Sequence, residues 1–197
     1  MLLKLLPIKS VIDFGCGRGE WLSKFKEHGV TDIRGIDGAH FDQGKLLIPK
    51  EAFTAYDLEC LREGPFALDR AYEMALNLEV AEHLTVECAG HLVESLVKAA
   101  PLILFSAAIP GQGGVNHVNE QWPSFWRQQF SRWEYRLFDP VRRFIYGERR
   151  IPWWYRQNLV LYASRSAVTQ YSALSAMAIQ IDDPVCEWIH VTNSTGK

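Results

Sequence analysis

The chain has 197 residues, 48% of them hydrophobic, enough for one domain to bury a core without disulfides or a structural metal. Its 21 Lys and Arg stand against 23 Asp and Glu for a net charge of -2, which excludes global attraction to nucleic acid or an anionic membrane and leaves room only for a local preference. The four cysteines, Cys16, Cys60, Cys88 and Cys186, form no CxxC pair and read as reduced thiols, and no run approaches a signal peptide's apolar core or the ~20 apolar residues of a span, so a cytoplasmic protein with no membrane partner is expected.

In chain order, the apolar run 11–14 predicts a strand that stops at the glycines of 15–19. Helical spacing follows, with Trp21, Leu22 and Phe25 on one face and Glu20, Lys24 and Glu27 on the other, and Gly29 as the stop. A second strand is predicted over 32–37, a third over 53–58 and a fourth over 71–78, the last nearly uncharged and therefore central. Cys88, Leu92, Leu96 and Ala99 predict a helix over 86–100, with a fifth strand over 102–105 after Pro101. A loop at 110–114, a helix over 123–133 and strands over 135–138 and 158–163 complete the readable part; a helix over 167–178 and an edge strand over 185–191 are weaker signals. The fold class is thus α/β: a mostly parallel twisted sheet with helices on both faces and a C-terminal antiparallel hairpin.

A glycine-rich turn after the first strand of such a sheet lies where open α/β sheets bind ligands. A dinucleotide fingerprint needs a sixth-position glycine, but Glu20 stands there. Asp13-Phe14-Gly15-Cys16-Gly17-Arg18-Gly19 resembles instead the first motif of the class I S-adenosylmethionine-dependent methyltransferases, an acidic residue followed by GxGxG. The resemblance continues at Asp37-Gly38 after the second strand, at Asp57-Leu58 after the third, and at Leu78-Glu79-Val80-Ala81-Glu82-His83 after the fourth, and covers about residues 8–106. It implies a Rossmann-like fold binding S-adenosylmethionine through Asp13, Gly15, Cys16, Gly17, Gly19, Asp37, Gly38, Asp57, Leu58 and Leu78. Asp37 would accept the ribose hydroxyls, and Asp57 would sit beside the adenine amino group. The stretch before the first strand is too short for the helices that the family places there, so the C-terminal tail or a second subunit, as in a homodimer, is expected to cover the cofactor.

In-line methyl transfer needs an aligned acceptor, excluded water and, for a hydroxyl, a base. Glu79, Glu82 and His83 follow the fourth strand with i, i+3, i+4 spacing, which predicts one side of a helical turn. Either His83 is a general base oriented by a carboxylate, or the set binds a divalent ion, as in some of the ubiquinone-pathway and small-RNA methyltransferases that it resembles here. The base is preferred and a metal is not expected; a bland alternative is that Glu82 and His83 only cap and solvate a helix start. His117, after the fifth strand, is an alternative base or a fourth ligand.

Residues 122–154 hold five of the seven tryptophans, interleaved with Arg127, Arg132, Arg136, Arg142, Arg143, Arg149 and Arg150. Such a mixture stacks on bases and binds phosphates, but more than half of the aromatics are expected to be core. The polar loop 111–126 is the better substrate element. Residues 1–165 are expected to form the cofactor-binding domain, with 166–197 an extension packed on it. The expected acceptor is a small molecule, a hydroxyl of a sugar or other metabolite, rather than nucleic acid. An RNA-modifying enzyme and a non-catalytic partner subunit are the alternatives.

Overall fold

A computed structural model describes residues 2–38 and 43–177. After a short helix α1 (Leu2–Leu5) come β1 (Ser10–Phe14), α2 (Glu20–Glu27), β2 (Asp32–Asp37), β3 (Phe53–Ala55) and β4 (Met74–Leu78). Then follow α3 (Ala89–Ala99), β5 (Leu102–Ser106), α4 (Pro123–Ser131), β6 (Arg136–Phe138), α5 (Arg142–Ile145), α6 (Trp153–Asn158), β7 (Val160–Ala163) and α7 (Arg165–Gln170).

The strands make one sheet in the order β3-β2-β1-β4-β5-β7-β6. The first five pair in parallel, and β7 runs antiparallel to both β5 and β6. Strand order reverses between β1 and β4, so the crevice beyond their carboxyl ends is the place for a ligand. Every residue of β1, β4 and β5 is buried, because helices cover both faces.

Alternation along the strands sorts the core. Ile12, Phe14, Ala75, Ile103 and Phe105 face Leu92 and Leu96 of α3 and Trp126 and Phe130 of α4. Val11, Met74, Leu76 and Leu104 face Leu22 and Phe25 of α2 and Ala167 of α7. Gly29, at φ 93, ends α2 with its N–H on the Lys26 carbonyl.

Several element boundaries depart from the sequence reading. The third strand stops at Ala55, because Asp57 accepts from the Glu59 N–H and caps a 3-10 turn over Leu58–Arg62. The fourth strand begins at Met74, not 71. The expected C-terminal antiparallel pair is present as β6 and β7, with two helices in residues 139–159 between them. The helix over 167–178 is instead α7 followed by a 3-10 turn over Ser172–Met177. The edge strand over 185–191 lies outside the described residues. No helix among the described residues is long and apolar enough to cross a membrane.

Candidate active site

At the end of β1 the chain turns through Gly15, Gly17 and Gly19, with φ of 86, 55 and 88. Left-handed backbone alone would favour glycine at Gly15, and space demands it as well: a Cβ there would meet Val80 Cγ2 at 2.3 Å. The turn is tied to the end of β2, where Gly15 and Cys16 donate to the Ile36 carbonyl and the Gly17 N–H donates to Asp37 Oδ2 at 2.7 Å. Asp37 therefore braces the glycine turn directly. Gly38 is buried beside it, and Tyr56 donates to the Asp37 carbonyl, which sets Asp57 at the neighbouring strand end. Asp57 is exposed, whereas Leu58 and Leu78 are buried in the core.

Acids crowd this end, one of them, Glu20, paired with Arg18 at 2.9 Å. Asp13 is 1% exposed and its Oδ2 has no hydrogen-bond partner. Burial, then Asp37 and Glu20, push its carboxyl up to about 7. Burial and the same acids raise the Cys16 thiol, so it stays protonated and unreactive. An acidic crevice of this kind repels a pyrophosphate and attracts a cationic ligand.

Beyond β4 the backbone does not form the helical turn that the i, i+3, i+4 spacing predicts. Glu79 sits in left-handed conformation at φ 57, its N–H held by the Ser106 carbonyl, and a 3-10 turn covers Ala81–His83. The kink sends the side chains apart: Glu82 is 0% exposed, while His83 is exposed. Neither carboxylate oxygen of Glu82 makes a hydrogen bond of full geometry, although the Glu82 and Ala108 N–H groups and the Glu79 side chain lie near enough to act on it. Burial first, and then the neighbouring Glu79, push it up to about 8. Glu79 is also raised by burial, against hydrogen bonds from Ser106, Asn158 and Gln112.

The loop after β5 folds back over this turn, with Val118 and Asn119 donating to the Glu82 carbonyl at 2.9 and 3.0 Å. It brings the His117 ring to the His83 ring, edge to face with centroids 4.9 Å apart. One ligand atom each from Glu82, His83 and His117 then lie within 4.8 Å of one another.

His83 Nδ1 lies 3.3 Å from the Asn116 carbonyl, and His117 Nδ1 lies 3.0 Å from Glu120 Oε1. A carbonyl and a carboxylate only accept, so both rings donate through Nδ1 and keep the Nε2 lone pair free. Partial desolvation lowers the His83 pKa, ahead of the Asn116 carbonyl, which raises it, and His117, which lowers it. Glu120 also accepts from the Gly111 and Gly113 N–H groups, at 2.7 and 2.8 Å. Gly114 lies so near that a Cβ would meet the His117 ring at 2.3 Å. A buried carboxylate, two imidazoles within ligand distance of it and an outer carboxylate on one imidazole suit a divalent cation.

Four residues outside the motifs, Asn158, Gln112, Tyr155 and Trp21, complete the surroundings. Asn158, at the end of α6, donates to Gln112 Oε1 at 2.9 Å and to Glu79 Oε1 at 3.5 Å. Tyr155 packs edge to face on Trp21, centroids 5.4 Å apart, and accepts from its Nε1 at 3.4 Å. The hydroxyl of Tyr155 also feels Glu79, Asp13 and Glu82, so α6 borders both the glycine turn and the acidic cluster. No local pattern could reveal these contacts, which span 134 positions for Trp21 and Tyr155. Residues 178–197, the tail expected to cover the cofactor, lie outside the described residues.

A family model described as a methyltransferase domain matches residues 1–158. Among solved structures, the chain is similar to the methyltransferase domain of bacterial CtHen1, with 18% identity, a TM-score of 0.54, and coverage of 82% of this chain and 93% of that one. It is similar to a SAM-dependent methyltransferase from Archaeoglobus fulgidus at 22% identity and a TM-score of 0.52, covering 69% of this chain and 67% of that one. A third is the plantazolicin methyltransferase BpumL, in complex with a pentazolic desmethylPZN analogue and SAH, at 16% identity and a TM-score of 0.53, covering 80% of this chain and 77% of that one. At such identities the likeness speaks for the fold. No curated protein matches the chain.

Proposed function

This chain belongs to the methyltransferase-domain family and is an S-adenosylmethionine-dependent methyltransferase, and from that premise we propose that it methylates a hydroxyl of a small-molecule acceptor, with Glu82, His83 and His117 holding a divalent cation. The observation that carries this reading is the convergence of one ligand atom from each of those residues within 4.8 Å, at the ligand-binding end of the sheet.

S-adenosylmethionine supplies the electrophilic methyl on a sulfonium, and a cation would lower the pKa of an acceptor hydroxyl. The residues of the chain do the rest. Asp37 holds the glycine turn and is the carboxylate at the end of β2 that would receive the ribose. The acids around Asp13 favour a positively charged ligand, which argues for the sulfonium donor over a nicotinamide dinucleotide. Glu82, fully buried, is the anchor of the cation site, and Glu120, accepting from Nδ1 of His117, fixes the orientation of that ring. Glu79, outside ligand distance, stands as a carboxylate that balances the cation's charge.

A second reading, in which His83 acts alone as general base, is favoured by its exposed ring and lowered pKa. Titration of Mn2+ into the wild type and His83→Ala, together with turnover before and after chelation, separates the two. The cation reading expects Mn2+ binding that the variant loses and turnover that the chelator stops, with SAH binding intact in both proteins. Full activity in His83→Ala sinks both readings. Activity indifferent to the chelator but lost in the variant leaves the base alone.

A further inference from the structure

Residues 142–158 form a helical hairpin in which Arg142 Nη1 donates to the Gln157 carbonyl at 2.9 Å and Arg156 Nη1 donates to the Tyr146 carbonyl at 2.7 Å. The hairpin contains five arginines and one carboxylate, Glu148, in a chain whose remaining residues are net acidic. Arg142 pairs with Asp139 and Arg150 with Glu148. Arg143, Arg149 and Arg156 have no carboxylate at ion-pair distance among the described residues.

Four large aromatic side chains on the same hairpin face solvent: Phe144 at 56%, Tyr146 at 49%, Trp153 at 42% and Trp154 at 37% exposure. Exposed aromatics of this size concentrated in one short segment mark a binding surface rather than a packing remnant. The core role falls to others, since Trp126 and Phe130 are buried and Phe130 stacks on Tyr162 at 3.9 Å.

The surface leads into the active site. Ring centroids step from Trp153 to Trp154 at 5.9 Å, to Tyr155 at 6.4 Å and to Trp21, beside the glycine turn, at 5.4 Å. At its other end the hairpin touches the acidic cluster through Asn158.

Planar rings with unpaired guanidiniums bind a ligand that is aromatic at one end and multiply anionic at the other. A base stacked on an aromatic side chain gains ~1–3 kcal/mol. We propose that this hairpin binds a nucleoside diphosphate, so that the acceptor hydroxyl belongs to a small molecule carried on a nucleotide. The proposal rests on the hydroxyl-transfer reading above and names its substrate class. The guanidiniums of Arg143 and Arg149 match the two charges of a linked diphosphate, with Arg156 held on the Tyr146 carbonyl; an extended RNA contact engages roughly six to ten phosphates and would need a wider basic face.

The test titrates uridine, cytidine and guanosine diphosphates into the protein saturated with SAH, which keeps the probes out of the adenosine site. Inorganic pyrophosphate and a single-stranded RNA oligonucleotide at physiological salt are the comparison arms. Trp154→Ala and the double variant Arg143→Ala with Arg149→Ala are measured beside the wild type. The proposal expects micromolar, salt-sensitive binding of at least one nucleoside diphosphate, weakened about tenfold or more in each variant, with SAH affinity unchanged. Absence of nucleotide binding overturns it. So does pyrophosphate binding as tight as the nucleotides and indifferent to Trp154→Ala, which would make the hairpin a simple anion site. RNA binding tighter than any nucleoside diphosphate assigns the hairpin to RNA and overturns it as well. SAH and Mn2+ titrations read the cofactor and cation sites separately, so failure here is distinct from failure of the methyl-transfer reading.

Discussion

The glycine turn and the carboxylate–imidazole cluster lie at the same end of the sheet but are built in opposite ways. The turn is backbone: its shape is written in the φ angles of Gly15, Gly17 and Gly19, and its brace, Asp37, comes from the adjoining strand. The cluster is side chain: Glu82, His83 and His117 meet only because a kink at Glu79 sends neighbours to different depths and a loop from beyond β5 folds back onto the Glu82 carbonyl. A site made by backbone tolerates almost any side chains and no Cβ. One made by convergence tolerates backbone variation and depends on each side chain. Their charges differ as well, since at the turn burial and neighbouring acids raise Asp13, while the cluster sets acids beside two imidazoles.

Four substitutions test that contrast, in order of decreasing effect. Gly15→Ala meets both a φ of 86 and the Val80 side chain, and thermal or denaturant unfolding should show a loss of about 2–4 kcal/mol. A loss below about 0.5 kcal/mol would show that the turn is not closed on Val80 as described. Asp37→Ala should leave the fold intact but weaken SAH binding about 10- to 100-fold in calorimetry, because two ribose hydroxyls and the Gly17 N–H lose their acceptor. Unchanged affinity would remove Asp37 from the cofactor site.

Glu120→Ala frees the His117 ring and should lower Mn2+ affinity by about tenfold or more while leaving SAH affinity alone. Glu120→Gln, which keeps an acceptor, should recover part of that loss; equal damage by both would point to loop folding rather than ring orientation. The smallest effect concerns pH. Asp13 in the native state is raised from 3.8 to about 7, so between those values the folded protein holds a proton that the unfolded chain has released. Stability of the free protein should therefore be greatest at the acidic side of this window and fall as pH rises through it, by at most about 1.4 kcal/mol per pH unit. Asp13→Asn should flatten that slope, and an identical slope in the variant would exclude Asp13 as its source.

Much of the scaffold was readable because its signals are local and periodic. Strands β1, β2 and β5 and helix α2 fall within a few residues of where alternation, apolar runs and stop glycines place them. Misplaced boundaries arose where a side chain competed for backbone: Asp57 capping a turn shortened the third strand. Residues 142–158 read as aromatic and basic without helical spacing, so α5 and α6 were missed. Spacing misled most at Glu79, where i, i+3, i+4 suggests a shared helical face and the observed φ of 57 breaks it.

The sequence by itself determined the alternation of strands and helices, the glycine turn and its acids, and the family to which the chain belongs, because each is carried by neighbours in the chain or by fixed spacing. Only the tertiary structure decided that His117 rather than Glu79 joins Glu82 and His83 within ligand distance, and that Tyr155 and Asn158 border the site. Those contacts join residues 33 to 134 positions apart, and their geometry follows from how the loops pack at the carboxyl ends of the strands, which no local pattern encodes.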